Sequence, residues 1–323
     1  MKTANADRNR PAASHGASLS TLRILVLAGG PSAEREVSLE SGNAIAAGLQ
    51  RRGHQVTVRD ISPSDLAALD GEYDVIFPAL HGTFGEDGAL QTILEQRNLR
   101  FVGCGSKASA TAMDKWETKQ LALRLGLTTA HAQLVDAKEL TRGEPQIPDF
   151  GLPLVVKPVD QGSSVATFLI KQRSEFGPAL AEVVGRFHRA LVEQFVPGKE
   201  IAGGVVGGKP LPVIWIQPKR AFYDYAAKYQ DTGTEYHFET GLAEAVVARL
   251  QRDSVRMFEA LGCRHLSRVD WIVPPDGAPR LLEVNTLPGF TSHSLVPQAS
   301  AKAGVAFDEL VDRLARMGLE PRV

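Results

Sequence analysis

The chain of 323 residues is more than twice the size of a typical domain, and its 43% hydrophobic and 23% charged content is enough to pack two or three compact units. Lys plus Arg (36) against Asp plus Glu (37) leave a formal net charge of −1, without the basic excess of a nucleic-acid binder. No apolar run approaches the ~18–20 residues of a membrane span, no secretory-type hydrophobic segment opens the chain, and the two cysteines form no C-x-x-C pair, so a cytoplasmic protein without a disulfide scaffold or cysteine zinc site is expected.

Residues 1–20, rich in Ala, Ser, Asn and Arg, lack apolar periodicity and are expected to be a disordered tail. Ile24 to Leu27 then form a buried-strand candidate ending in Gly29–Gly30. A helix follows, with Val37, Ala44, Ile45 and Leu49 on one face. Val56 and Val58 alternate with polar residues, Val75 to Phe77 read as a further strand, 89–97 as a helix, and Phe101–Val102 as a short apolar run. This alternation predicts a parallel sheet flanked by helices over 21–103. Asp114, with Glu117 three residues on, reads as the N-cap of a helix burying Leu121 and Leu125. Strands at 154–157 and 167–170 and a helix over 176–188 complete an α+β unit, 104–192. The remainder, 193–323, is mostly extended, with helices at 242–261 and 306–317.

Two predicted strands, 266–273 and 280–285, are joined by a Pro-Pro-Asp-Gly turn and should form a hairpin. Alternation puts Arg268 and Asp270 on one face with Glu283 and Asn285, and Val269, Trp271, Leu282 and Val284 on the other. Two carboxylates and an amide oxygen are hard ligands of the kind Mg²⁺ takes beside phosphates. From the hairpin alone, a cross-strand Arg268–Glu283 ion pair reads equally well. Lys115 and Lys157 are phosphate-ligand candidates, the latter just before the Gly162–Ser163–Ser164 turn, whose N–H groups and hydroxyls could serve phosphate oxygens. His81 opens HGTFGEDG after a buried strand, where open α/β sheets bind ligands. G-x-G-x-x-G, the P-loop, H-E-x-x-H and Gly-x-Ser-x-Gly are all absent. The tyrosine-rich segment FYDYAAKYQDTGTEYHF, 222–238, resembles a lid more than a core element.

Together GGPSAEREVSLESG, HGTFGEDG, ASATAMDK, LVVKP with GSS, FYDYAAKY, SRVDW and LLEVNTLPGFTSHSLVPQAS resemble the D-alanine–D-alanine ligase family of the ATP-grasp superfamily, over about residues 23–317. The resemblance implies a three-lobed ATP-grasp fold with a parallel-sheet N-terminal lobe, a central lobe and a C-terminal lobe, with ATP between the last two. It implies that Lys115 and Lys157 hold ATP phosphates, that Glu193 to Val196 meet the adenine, and that Glu200 meets the ribose. Asp270, Glu283 and Asn285 would hold two Mg²⁺ (or Mn²⁺). Glu34 would anchor the first D-alanine's ammonium with His81 nearby, and Ser294 and the Leu295 backbone would bind the second D-alanine's carboxylate. Tyr229, Ser163 and Glu34 would close the lid, Lys228 would reach the transferred phosphate, and Arg268 with the Gly289 N–H would stabilise the oxyanion. A homodimer is the expected assembly. Another carboxylate–amine ligase of the superfamily would lack Glu34, Tyr229 and Ser294, and a non-catalytic ATP-binding protein would lack a metal ligand or Arg268; all are present. Two departures stand out: Ala166 where the family has glycine, and YHFETG at the lid's end where a Cys-Pro-Ala run is common.

Overall fold

The computed structural model describes residues 20–140, 145–218 and 234–320. All but the last residue of the tail expected over 1–20, and most of the 222–238 segment, including Lys228 and Tyr229, fall outside the described residues.

The first unit contains β1 (Arg23–Leu27), α1 (Arg35–Arg51), β2 (Gln55–Arg59), β3 (Val75–Pro78) and α2 (Ala89–Gln96). Its strands lie in the order β2-β1-β3, all parallel, as the alternating pattern predicts. Both faces of β1 are covered, which is why Ile24 to Leu27 read as an unbroken apolar run. Ile24 and Val26 join one core with Ile45 and Leu49 of α1, while Leu25 and Leu27 join another with Leu90 and Leu94 of α2. The face of α1 differs from the expected one. Ser38, Ser41, Gly42, Ile45, Ala46 and Leu49 are buried, and Val37 and Ala44 flank them half-buried. The small residues are there because Gly42 lies so close to Ala28 that a Cβ would fall 2.4 Å from the alanine's own, and Ser38 Oγ links Gly29 N (2.8 Å) to Ala79 O (2.8 Å).

Next come α3 (Ser106–Met113), α4 (Lys115–Arg124), β4 (Ala132–Asp136), the one-turn α5 (Ala137–Leu140), β5 (Leu154–Pro158), β6 (Phe168–Ile170), α6 (Arg173–Phe187) and β7 (Arg189–Gln194). Asp114 caps α4, its Oδ1 accepting from Glu117 N at 3.0 Å. The helix buries Lys115, Thr118, Lys119 and Ala122 most deeply, and the expected Leu121 and Leu125 pack at the edge of that stripe. The antiparallel sheet β4-β7-β5-β6 rests on α6 through Val156, Val192, Leu180 and Val183.

The third sheet is built from β8 (Lys199–Val206), β9 (Lys209–Pro210), β10 (Ile214–Gln217), β11 (Glu235–His237), β12 (Leu266–Val273) and β13 (Arg280–Asn285), with helices α7 (Glu244–Ala260), α8 (Leu295–Lys302) and α9 (Phe307–Met317). The strand order is β11-β10-β8-β12-β13, so Glu235–His237, at the end of the segment expected to be a lid, form an edge strand. The predicted hairpin ends where expected, but its ladder carries a bulge. Asp270 pairs with Glu283 and Trp271 with Leu281, leaving Leu282 as the extra residue. Leu281, not Leu282, therefore fills the core position beside Trp271 and Val284.

The cores do not follow chain order. Ala108, Ala112 and Ala122 of α3 and α4 pack into the core of the third sheet, where Cys104 and Cys263 are also buried. Leu310, Val311 and Leu314 of α9 join Ile24 and Ile45 in the first unit. Ion pairs reinforce that contact: Arg51 is bidentate on Asp308 at 2.7 Å, and buried Asp312 receives His54 Nε2 at 2.9 Å, Arg52 at 3.2 Å and Arg316 at 2.8 Å.

Candidate active site

Between the second and third sheets lies a cleft of about 380 Å³. Its polar lining includes Lys115, Lys157, Glu193, Glu200 and Glu283, and its apolar lining includes Val155, Phe195, Val196, Trp215, Ile272 and Leu282. The bulge explains Leu282's presence here. A smaller pocket shares Lys115 and Glu283 with this cleft and adds Glu86, Gly162 and Asn285, which continues the cavity towards the first unit.

Strand geometry places the cations. Lys157 and Glu193 sit diagonally on paired strands β5 and β7, on the face opposite the Val156–Val192 core, and Lys157 Nζ lies 2.7 Å from Glu193 Oε2. Lys119, from the buried stripe of α4, pairs with the other oxygen of Glu193. Burial alone would push the Glu193 carboxyl up, yet the two ammoniums hold it below its usual range. Burial likewise opposes the charge on Lys157, but Glu193 outweighs it and the lysine's pKa is raised; for Lys119 burial wins and its pKa is lowered. Lys115 Nζ donates to Gln161 O at 2.7 Å and lies 3.4 Å from Glu283 Oε2.

The Gln161–Ala166 turn closes one side. Ser163, Ser164 and Ala166 all have positive φ (52°, 55° and 48°), and Ser163 Oγ donates to Glu34 Oε1 at the start of α1. This contact joins the phosphate-turn candidate to the first unit. Deeper in that unit, His81 Nε2 lies 3.3 Å from Ser41 Oγ, which accepts from Phe290 N, and His81 Nδ1 lies 3.5 Å from Glu86 Oε1. Burial pushes the Glu86 carboxyl up, with the His81 contact acting against it and Glu34 adding to it.

On the hairpin, register sets Asp270 opposite Glu283 and Arg268 opposite Asn285. Arg268 does not pair with Glu283 as the simplest reading of the strands allows. Its guanidinium takes Asp270 bidentately, with contacts of 2.8 to 3.1 Å. Asn285 Oδ1 accepts from Leu287 N at 2.8 Å. The described residues contain no cluster of three His, Cys, Asp or Glu side chains suited to a metal. The candidate set here is two facing carboxylates and an amide oxygen, which fits a hard cation sharing its shell with phosphate oxygens. Ser294 stands at the N-cap position of α8, its Oγ accepting from Thr291 N at 3.0 Å and not from a helix N–H, and Gly289 lies against it closely enough that a Cβ would fall 3.3 Å from Oγ. The Ser294 hydroxyl and Leu295 N–H stand at a helix N-terminus, a favourable place for a carboxylate.

The structure thus brings Lys115, Lys157, Glu193, Val196, Glu200 and Glu283 to one cleft, Ser163 to Glu34, and Ser294 to Gly289. Three neighbours were not singled out from sequence: Lys119, Glu86 and Ser41. Glu86 lies inside the HGTFGEDG motif, and Lys119 follows Lys115 by four positions, a helical spacing that could have marked it.

Comparison with known proteins gives this arrangement a context. The family described as D-ala D-ala ligase C-terminus matches residues 121–316, and that described as D-ala D-ala ligase N-terminus matches 60–104. A D-alanine–D-alanine ligase of Anaeromyxobacter dehalogenans is 42% identical over 294 residues, covering 90% of this chain and 95% of that relative. A crystal structure of D-alanine–D-alanine ligase from Bacillus anthracis complexed with ATP superposes with a TM-score of 0.79 at 28% identity, covering 93% of this chain and 98% of that one. The VanG D-Ala:D-Ser ligase of Enterococcus faecalis gives a TM-score of 0.80 at 27% identity, covering 93% of this chain and 100% of that one.

Proposed function

The chain belongs to the D-alanine–D-alanine ligase family, and from that premise we propose that it joins two D-alanines into D-alanyl-D-alanine at the expense of ATP, through a D-alanyl phosphate. The observation that carries this reading is the cleft in which Lys115, Lys157 and Glu283 meet, with the Ser163–Glu34 contact extending it to the first unit.

A carboxylate oxygen of the first D-alanine attacks the γ-phosphorus and ADP leaves. The amine of the second then attacks the acyl carbon, loses a proton, and expels phosphate. Lys115 and Lys157 neutralise nucleotide phosphates, and the 193–196 stretch and Glu200 hold the adenine and ribose. Charge on the transferring phosphoryl group is spread over such cations. Asp270, Glu283 and Asn285 hold Mg²⁺, which supplies further charge neutralisation at the phosphates when bound. Glu34 accepts from the first D-alanine's ammonium beside His81, and Ser294 Oγ and Leu295 N take the second one's carboxylate. Arg268 and Gly289 N–H stabilise the tetrahedral oxyanion; Lys228 and Tyr229 complete the lid side. The dipeptide serves peptidoglycan precursor synthesis in the cytoplasm, and the protein works as a homodimer.

The test is phosphate release from ATP by the purified chain, with product identification by mass spectrometry. D-alanine is expected to give D-alanyl-D-alanine, and L-alanine nothing. In equal competition at pH 7.5, D-alanine should exceed D-serine and D-lactate as second substrate. No phosphate release with D-alanine, or a predominant ester, overturns the reading.

A further inference from the structure

Lys119 is 1% exposed and lies behind the cleft wall rather than on it. Besides Glu193 Oε1, its Nζ contacts Thr129 Oγ1 at 2.5 Å, and the Thr129 hydroxyl donates onward to Leu281 O at 3.0 Å. Leu281 N in turn donates to Thr128 O at 2.8 Å. Residues 128–129 therefore line the edge of β13, the strand that carries Glu283 and Asn285. One ammonium thus connects the carboxylate behind Lys157 to the strand of the candidate metal ligands.

Charge accounting shows what this arrangement does. Two ammoniums around one carboxylate carry a net single positive charge, and each oxygen of Glu193 serves one lysine. Without Lys119, Glu193 and Lys157 would form a neutral pair, and the carboxylate would be free to rotate towards Lys157. A buried oxygen would also lose its partner, a costly change in a low-dielectric site. Lys157 would then offer less charge to a polyanion, from a less fixed position.

We propose that Lys119 is a positioning residue for the nucleotide: it holds Glu193 so that Lys157 keeps its charge and place at the cleft wall, and through Thr129 it ties that wall to β13. Lys119 itself touches no substrate. The proposal rests on the assignment of Lys157 to the nucleotide.

The experiment is calorimetric titration of the full chain with ADP and Mg²⁺, without D-alanine, alongside steady-state kinetics. Lys119→Met is expected to weaken ADP binding and raise KM for ATP by about tenfold, the scale of one charge-assisted hydrogen bond. KM for D-alanine should change by less than about twofold, within ordinary indirect effects. In a Glu193→Gln background the same substitution should have a much smaller effect, because no buried carboxylate then needs its partner. Equal losses in both backgrounds, or an equal rise in the D-alanine KM, overturn the proposal. If circular dichroism shows Lys119→Met unfolded, Thr129→Val decides: weaker ADP binding supports the link and unchanged binding overturns it. Lys157→Met separates the two levels. If it leaves ADP affinity unchanged, the nucleotide assignment itself fails; if it weakens binding while Lys119→Met does not, only the positioning role fails.

Discussion

At the scale of single residues, Ala166 carries a cost that a glycine would not. With φ at +48° its Cβ crowds the backbone, at roughly 1 kcal/mol relative to glycine. Ala166→Gly is expected to raise the thermal midpoint and Ala166→Val to lower it, since a β-branched side chain is still less suited to that region. Scanning calorimetry of the three proteins checks the order, and a glycine variant less stable than wild type contradicts it. The sequence showed this departure plainly because a single residue type decided it. Lys119 and Glu86 were harder to see. A lysine or glutamate reads as solvated by default, and the partners that make burial tolerable, Glu193 for one and His81 for the other, lie 74 and 5 positions away.

Element boundaries were legible wherever a local signal existed. Asp114 is the clearest, since its Oδ1 caps α4 while Oδ2 holds Arg189 of β7 at 2.9 Å. Asp114→Ala should cost about 1 kcal/mol for the lost cap, whereas Asp114→Asn keeps the capping oxygen and should cost less than half of that. Equilibrium denaturation checks the difference; equal losses would assign the effect to Arg189 instead. The hairpin's ends were also readable from its turn and its alternation. Its bulge was not, because Leu281 and Leu282 are chemically identical, and a register shift beside two equal residues leaves no trace in the pattern.

Across the whole molecule, His265 joins segments far apart in the chain. Its Nδ1 accepts from Gly103 N at 2.9 Å, so the ring is neutral at that nitrogen. Burial, aided by the charge of Arg264, lowers its pKa from 6.5 to about 4. The unfolded chain thus takes up a proton below pH 6.5 that the folded one refuses. The stability concerned is fully present above pH 6.5 and is lost as pH falls towards 4, by at most about 1.4 kcal/mol per unit. His265→Asn keeps an acceptor and tolerates the residue's φ of +61°, so its melting temperature should fall less between pH 7.5 and 5 than that of wild type. Parallel curves for the two proteins would remove His265 as the cause. The parallel sheet was foreseeable from alternating strands and helices. The sharing of cores between distant segments was not, since periodicity reports that a helix has an apolar face and not which sheet will cover it.

The seating of α9 on the first sheet bears on how the chain is made. Ile24 and Ile45 share a core with Leu310 and Leu314, and Arg51 pairs with Asp308 across 257 positions. During synthesis the first sheet emerges early, but the face it shares with α1 lacks the cover of Leu310, Val311 and Leu314 until residues near 317 have left the ribosome. At about 5–20 residues per second, the stretch from the end of β3 to the end of α9 takes roughly 12–48 seconds, long enough for a nascent apolar surface to be bound by holding chaperones or to pair with a neighbouring chain. Translation speed through the second half of the message is therefore a determinant of yield for this fold, independent of the stability of the finished protein.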